Sequence, residues 1–132
     1  MTTTWNLEQQ PIHLGLGATA SAEPAFTGIE WYEGYVARHA QDGAEGRLVS
    51  MYRFSEPWTS WEMHPRGAEV VLCIEGSMTL HQEQPDGRTT SVVLEAGRYA
   101  INLPGVWHTA DVQGHATALF ITAGEGTQHR AR

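Results

Sequence analysis

The chain has no lysine: its eight basic residues are all arginine, set against fifteen acids. That absence excludes Schiff-base chemistry and a lysine general base. The net charge of -7 leaves no electrostatic footprint for nucleic acid or an anionic membrane surface. The single cysteine, Cys73, rules out an internal disulfide framework. No apolar run reaches transmembrane length. Met1-Thr2-Thr3-Thr4-Trp5-Asn6 has neither the basic nor the apolar region of a leader, so a cytoplasmic location is the expectation.

At 132 residues the chain is long enough for one domain with one core. Fourteen glycines and six prolines fall between short apolar runs, which favours an all-β architecture. Residues 1–28 show no clear period and read as an extended arm. Leu14-Gly15-Leu16-Gly17-Ala18 lacks what a phosphate-cradling loop needs: a third glycine, a preceding strand and a following Lys-Ser/Thr. The spacing then predicts one helix from Thr27 to Gly43, with Thr27 as N-cap, Glu30 as capping-box partner and an apolar face of Trp31, Tyr32, Tyr35, Val36 and Ala40. His39, near its end, is read as structural. The arm and helix together occupy residues 1–46.

From Arg47 the period is two. Strands are expected at 48–54, 59–64 and 69–74, with Gly76 ending the third. Hairpins are expected around Pro85-Asp86-Gly87 and, between 107–112 and 116–122, around Gln113-Gly114-His115. The barrel would span 47–123, and the tail, 124–132, is expected to fray.

Within the strands one constellation carries chemistry. Glu62 and His64, two apart, project to the same side. Glu69 opens the next strand after the Pro65-Arg66-Gly67 turn, and His108 opens a later strand past Pro104-Gly105. Carboxylates and imidazoles together suit Fe(II), Mn(II), Ni(II) or Zn(II). The alternative is a strand whose polar face looks at water. Cys73 shares the Glu69 face and reads as a buried, inert thiol. Trp61 and Met63 face the other way and pack, and Trp107 belongs to core or interface. Tyr52, Tyr99 and Arg53 are candidates for a cavity mouth. His13, His81, His115 and His129 receive no role.

These residues carry a resemblance to the small single-domain cupins. The family's first motif runs Gly, five residues, His-x-His, three or four residues, Glu, six residues, Gly. The second runs Gly, five residues, Pro-x-Gly, two residues, His, three residues, Asn. His64, Glu69 and Gly76 match the first in spacing; Gly97, Gly105 and His108 match the second. Glu62 stands where the family has its first histidine, Glu56 replaces the leading glycine, Leu103 the proline and Val112 the asparagine. The motifs span 56–112, and the strand pattern extends the likeness to 47–122.

The resemblance implies a cupin-type double-stranded β-helix (jelly-roll) barrel with one N-terminal flanking helix. It implies one divalent metal ion, Fe or Mn ahead of Ni or Zn, on Glu62, His64, Glu69 and His108. Glu62 has three readings: a fourth ligand, a general base beside the metal, or a polar residue of a barrel that has lost its metal. The activity implied is that of a metal-dependent oxidoreductase of dioxygenase type on a small molecule. Alternatives are a metal-dependent isomerase or lyase, or a non-catalytic ligand- or metal-binding barrel. A homodimer through the helix and arm is expected.

Overall fold

A computed structural model describes residues 3–132. Among these residues ten strands form: β1 (Ile12–Gly15), β2 (Thr19–Ala22), β3 (Arg47–Phe54), β4 (Ser60–Met63), β5 (Glu69–Glu83), β6 (Thr89–Glu95), β7 (Tyr99–Asn102), β8 (His108–Asp111), β9 (Ala116–Thr122) and β10 (Gln128–Ala131). One helix, α1 (Trp31–Arg38), precedes β3.

Two groups of antiparallel strands face each other across the core. One contains β1, β2, β3, β9, β7 and the first half of β5; the other contains β4, β8, β10, β6 and the second half of β5. Strand β5 belongs to both because it bends. Its inward residues change parity from Glu69, Val71 and Cys73 to Met78 and Leu80, across an irregularity between Cys73 and Glu75. A bulge adds one residue and so exchanges the faces. Gly76 makes the bend possible. Its φ is +75°, and a Cβ there would lie 2.1 Å from the His115 carbonyl oxygen. It bends the strand where an end was expected.

The core is Val71, Cys73, Met78, Leu80, Leu94, Ala110, Val112, Ala116, Ala118 and Phe120, with Tyr52, Phe54 and Trp58 packed against it. Cys73 is fully buried as expected, and burial raises its thiol pKa.

Four local expectations are corrected. The expected helix from Thr27 to Gly43 forms only over Trp31–Arg38, with a 3₁₀ turn at Ala40–Glu45. Gly28 at φ +133° breaks the run after Thr27, and no side chain caps the helix at Glu30. The arm is a hairpin, not an unpaired extension: β1 pairs with β2 and with β3. The hairpin expected between 107–112 and 116–122 does not exist, since β8 pairs with β4 and β5 whereas β9 pairs with β3 and β5. Consecutive strands enter opposite sheets here, as a β-helix requires. The tail does not fray: β10 pairs along β4.

Candidate metal centre

The site is assembled on β4, β8 and the start of β5. On β4, alternation sends Glu62 inward and leaves Trp61 outward, where Arg130 lies over the rings of Trp61 and Trp107. His64 follows β4 directly, and the Leu103–Gly105 turn is held against it by a hydrogen bond from the Gly105 amide to the His64 carbonyl, 2.9 Å. Across the strands, Glu62 stands in register with His108 of β8 on one side and His129 of β10 on the other. Glu69 begins β5 opposite Asn102 of β7. Strand β4 with its end, the start of β5 and the start of β8 thus aim four side chains at one point.

The geometry is compact. His64 Nε2 lies 3.0 Å from a Glu62 oxygen and 3.1 Å from a Glu69 oxygen. His108 Nε2 lies 3.1 Å from Glu69 and 3.8 Å from Glu62. One ligand atom from each of the four residues falls within 4.8 Å of all the others. Most of these separations are in the hydrogen-bond range, yet neither Nε2 is aligned to bond with any oxygen, and both are buried. A buried polar atom left without a partner costs about 1–3 kcal/mol. Two such atoms converging with two carboxylates on a shared gap have the donor set and aim of ligands around a cation. The residues present therefore fit a divalent metal.

The surrounding hydrogen bonds fix how each group points. Thr127 Oγ1 donates to the Gly124 carbonyl at 2.8 Å, so it accepts from His64 Nδ1–H, also at 2.8 Å. His108 Nδ1–H donates to the Val106 carbonyl at 3.2 Å. In the neutral form both imidazoles would therefore turn an Nε2 lone pair to the gap, the usual tautomer arrangement around a metal. Glu69 accepts from Asn102 Nδ2 at 3.1 Å and from Thr122 Oγ1 at 2.6 Å, and Gln82 Nε2 steadies Asn102 at 2.8 Å. Glu62 is more exposed than the others. One of its oxygens faces the cluster and the other meets His129 Nε2 at 2.9 Å.

Electrostatics follow from this packing. Burial alone would push both imidazoles down, but the Glu62 and Glu69 carboxylates outweigh it and lift His64 and His108 to about 9. Burial alone would raise the two carboxyls, but the imidazoles outweigh that and hold both well below the usual range. These directions favour two imidazolium ions and two carboxylates in the metal-free cluster, with no net charge, so that a metal would displace the Nε2 protons. A dication and two neutral imidazoles would have the same total.

A cavity of about 1010 Å³ opens onto Glu62, His64 and Glu69. Tyr52, Phe54, Trp58 and Phe120 form an aromatic wall, and Tyr32 and Tyr35 of α1 line the far side. The Tyr32 and Tyr52 hydroxyls bond to each other, tying the helix to β3 across this space. Burial, then Tyr52, then the Glu62 and Glu69 charges push the Tyr32 phenol up. Of the expected mouth residues, Tyr52 lines this cavity; Tyr99 lies against a separate shallow one, and Arg53 lies in neither.

A second group, His13, His39 and Asp42, also has ligand-type atoms within 4.8 Å of one another. It does not suit a metal. The His13 and His39 rings stack at 3.6 Å with 18° between their planes, so their in-plane lone pairs run nearly side by side. Both His13 nitrogens are already bonded, to Tyr35 and to Asp42.

The structure brings together all four residues singled out from the sequence. Thr127, His129, Asn102, Thr122 and Gln82 were not anticipated. Asn102 alone left a trace, inside the span of the second motif; the tail residues left none.

No family model matches the sequence, and no curated protein matches it. Solved structures do. An oxalate oxidase in complex with the substrate analogue glycolate is 18% identical with a TM-score of 0.58, over 70% of this chain and 50% of that one. A hydroquinone 1,2-dioxygenase from Sphingomonas sp. TTNP3 with 4-hydroxybenzoate bound is 19% identical with a TM-score of 0.50, over 58% of this chain and 59% of that one. A cupin-2 domain protein from Shewanella frigidimarina is 21% identical, with a TM-score of 0.47, over 58% of this chain and 69% of that one. The matches to the first two span 50% and 59% of their lengths. The likeness to the first two speaks for architecture alone, and with the strand topology above it gives the chain the cupin-type double-stranded β-helix (jelly-roll) fold.

Proposed function

We propose that this protein is a metal-dependent oxidoreductase of dioxygenase type, with Fe(II) or Mn(II) held by Glu62, His64, Glu69 and His108 and a small organic substrate in the adjoining cavity. The observation that carries the reading is the pair of buried, unpartnered Nε2 atoms aimed with two carboxylates at one gap. A metal there would act as a Lewis acid and activate dioxygen. The chain's own residues do the rest. Thr127, Asn102 and Thr122 hold the ligands in place, and the aromatic wall excludes water from the substrate. Glu62, through its outward oxygen and His129, has a route by which a proton can leave the site. The fold neighbours that act as oxidase and dioxygenase support the choice of class by analogy only. Ile29 and Val36, exposed apolar residues beside and on α1, support a homodimer through the helix and arm.

The role of Glu62 separates the variants of this reading. If it is a ligand, Glu62→Gln weakens metal retention; if it is a base, the metal stays and turnover falls. The ligand role is favoured by its oxygen 3.0 Å from His64 Nε2. An oxygen-uptake screen of metal-loaded protein against small phenols, enols and carboxylates tests the reaction class. Turnover of such a compound without oxygen consumption would move the assignment to a metal-dependent isomerase or lyase.

A further inference from the structure

The group that fails as a metal site has another use. His13 is buried on β1. Its Nε2 lies 2.6 Å from Asp42 Oδ2, and its Nδ1 lies 2.6 Å from the Tyr35 hydroxyl. A carboxylate can only accept, so His13 Nε2 carries the proton, and in the neutral ring Nδ1 is left to accept from the Tyr35 O–H. Carboxylate, imidazole and phenol thus form one directed chain. Asp42 stands behind, and His13 and Tyr35 line the same cavity as Glu62, His64 and Glu69.

Space is kept for this arrangement. A methyl on Gly46 would sit 2.9 Å from His13 Cε1 and 3.0 Å from Asp42 Cβ; one on Gly15 would sit 2.6 Å from Thr19 Oγ1 and 3.0 Å from Asp42 Oδ2. Neither glycine has a backbone conformation that demands glycine, with φ of -69° and -98°. Their small size is what the site uses. The other groups around His13 are accounted for. His39 stacks on it and is engaged by Glu23, which also takes Arg38.

We propose that Tyr35 is a catalytic acid–base residue of the cavity, exchanging a proton with the hydroxyl oxygen of a phenol or enol bound between α1 and the barrel, with His13 and Asp42 as its positioning residues. As base, Tyr35 oxygen takes the ligand's proton while its own proton passes to His13 Nδ1. The ligand O–H breaks, a new Tyr35 O–H forms, and the imidazolium rests against the Asp42 carboxylate, which stays ionised. The reverse order returns the proton. Burial raises the Tyr35 phenol, so it enters the exchange protonated. The proposal rests on reading this cavity as the substrate pocket, but not on the metal.

The probe is 4-nitrophenol, whose anion absorbs visible light. Its ionisation is titrated while bound to wild-type protein, Tyr35→Phe and His13→Gln, each chelator-treated and metal-loaded. The expected result is ionisation about one pH unit lower on wild type than on either variant, with or without metal. Thermal melting of Tyr35→Phe close to wild type shows that the fold is kept. His13→Gln retains the Tyr35 hydroxyl, so loss of the shift there marks the relay and not a lost contact. Identical titrations in all three proteins, or no saturable binding to wild type, overturn the proposal. A shift confined to metal-loaded protein and surviving Tyr35→Phe also overturns it, while leaving the metal centre standing. A shift in protein that takes up no metal supports it and removes the metal centre.

Discussion

Among the described residues two groups of histidine and acid bring ligand-type atoms within 4.8 Å of one another, and they differ in what their nitrogens face. In the barrel, His64 and His108 each give Nδ1–H to an oxygen and aim a buried, unpartnered Nε2 at two carboxylates. Beneath α1, both nitrogens of His13 are spent on Asp42 and Tyr35, and His39 lies flat against it. Similar residue types, equally close together, are built for different work. On the function proposed above the first is the donor set of a cation, and the second is a chain of proton donors and acceptors. Composition and proximity do not separate them; the direction of the lone pairs does.

The largest expected effect that sharpens this contrast is on stability against pH. The folded pKa values of His64 and His108 stand at about 9, above the ordinary 6.5. A group raised in the folded state stabilises it fully below its unfolded pKa, and that stabilisation is lost as pH climbs through the folded value. Metal-free protein should therefore lose stability, on the order of 3 kcal/mol for each of the two histidines, between about pH 6.5 and 9. Glu62 and Glu69 are shifted down, so their contribution is lost on the acid side instead. Metal-loaded protein, whose imidazoles are neutral, should not show the alkaline loss. Denaturant melts of both forms across this range check it; parallel profiles would contradict it.

A smaller effect belongs to the supporting hydrogen bonds. Thr127→Val removes the acceptor that orients His64, and Thr122→Val removes a donor to Glu69. Each should weaken metal affinity by about 10–100-fold without dissolving the barrel, measured by competition with a chromogenic chelator. Unchanged affinity in both would mean that the ligands are placed by the strands alone.

How much of this was legible in the sequence depends on distance along the chain. His64, Glu69 and His108 were readable because tight turns, Pro65-Arg66-Gly67 and Pro104-Gly105, fix where each enters its strand. Glu62 followed by alternation. Thr127 and His129 were not readable, because β10 carries four exposed residues with no apolar period and owes its place to pairing with β4. The neighbours of β8 and β9 are not readable for a related reason: alternation says which face a residue takes, never which neighbour a strand joins. Nothing local marks His13, a lone histidine whose partners lie 22 and 29 residues away.

Metal content of untagged protein tests the central claim most directly, read on wild type, His108→Ala and His13→Gln after stripping and reloading with Fe(II) or Mn(II). The account predicts one ion per chain in wild type and in His13→Gln, none retained by His108→Ala, and a melting temperature that rises on loading only where the ion is bound. Wild-type protein that takes up no metal and gains no thermal stability from any of the four candidate ions would contradict it.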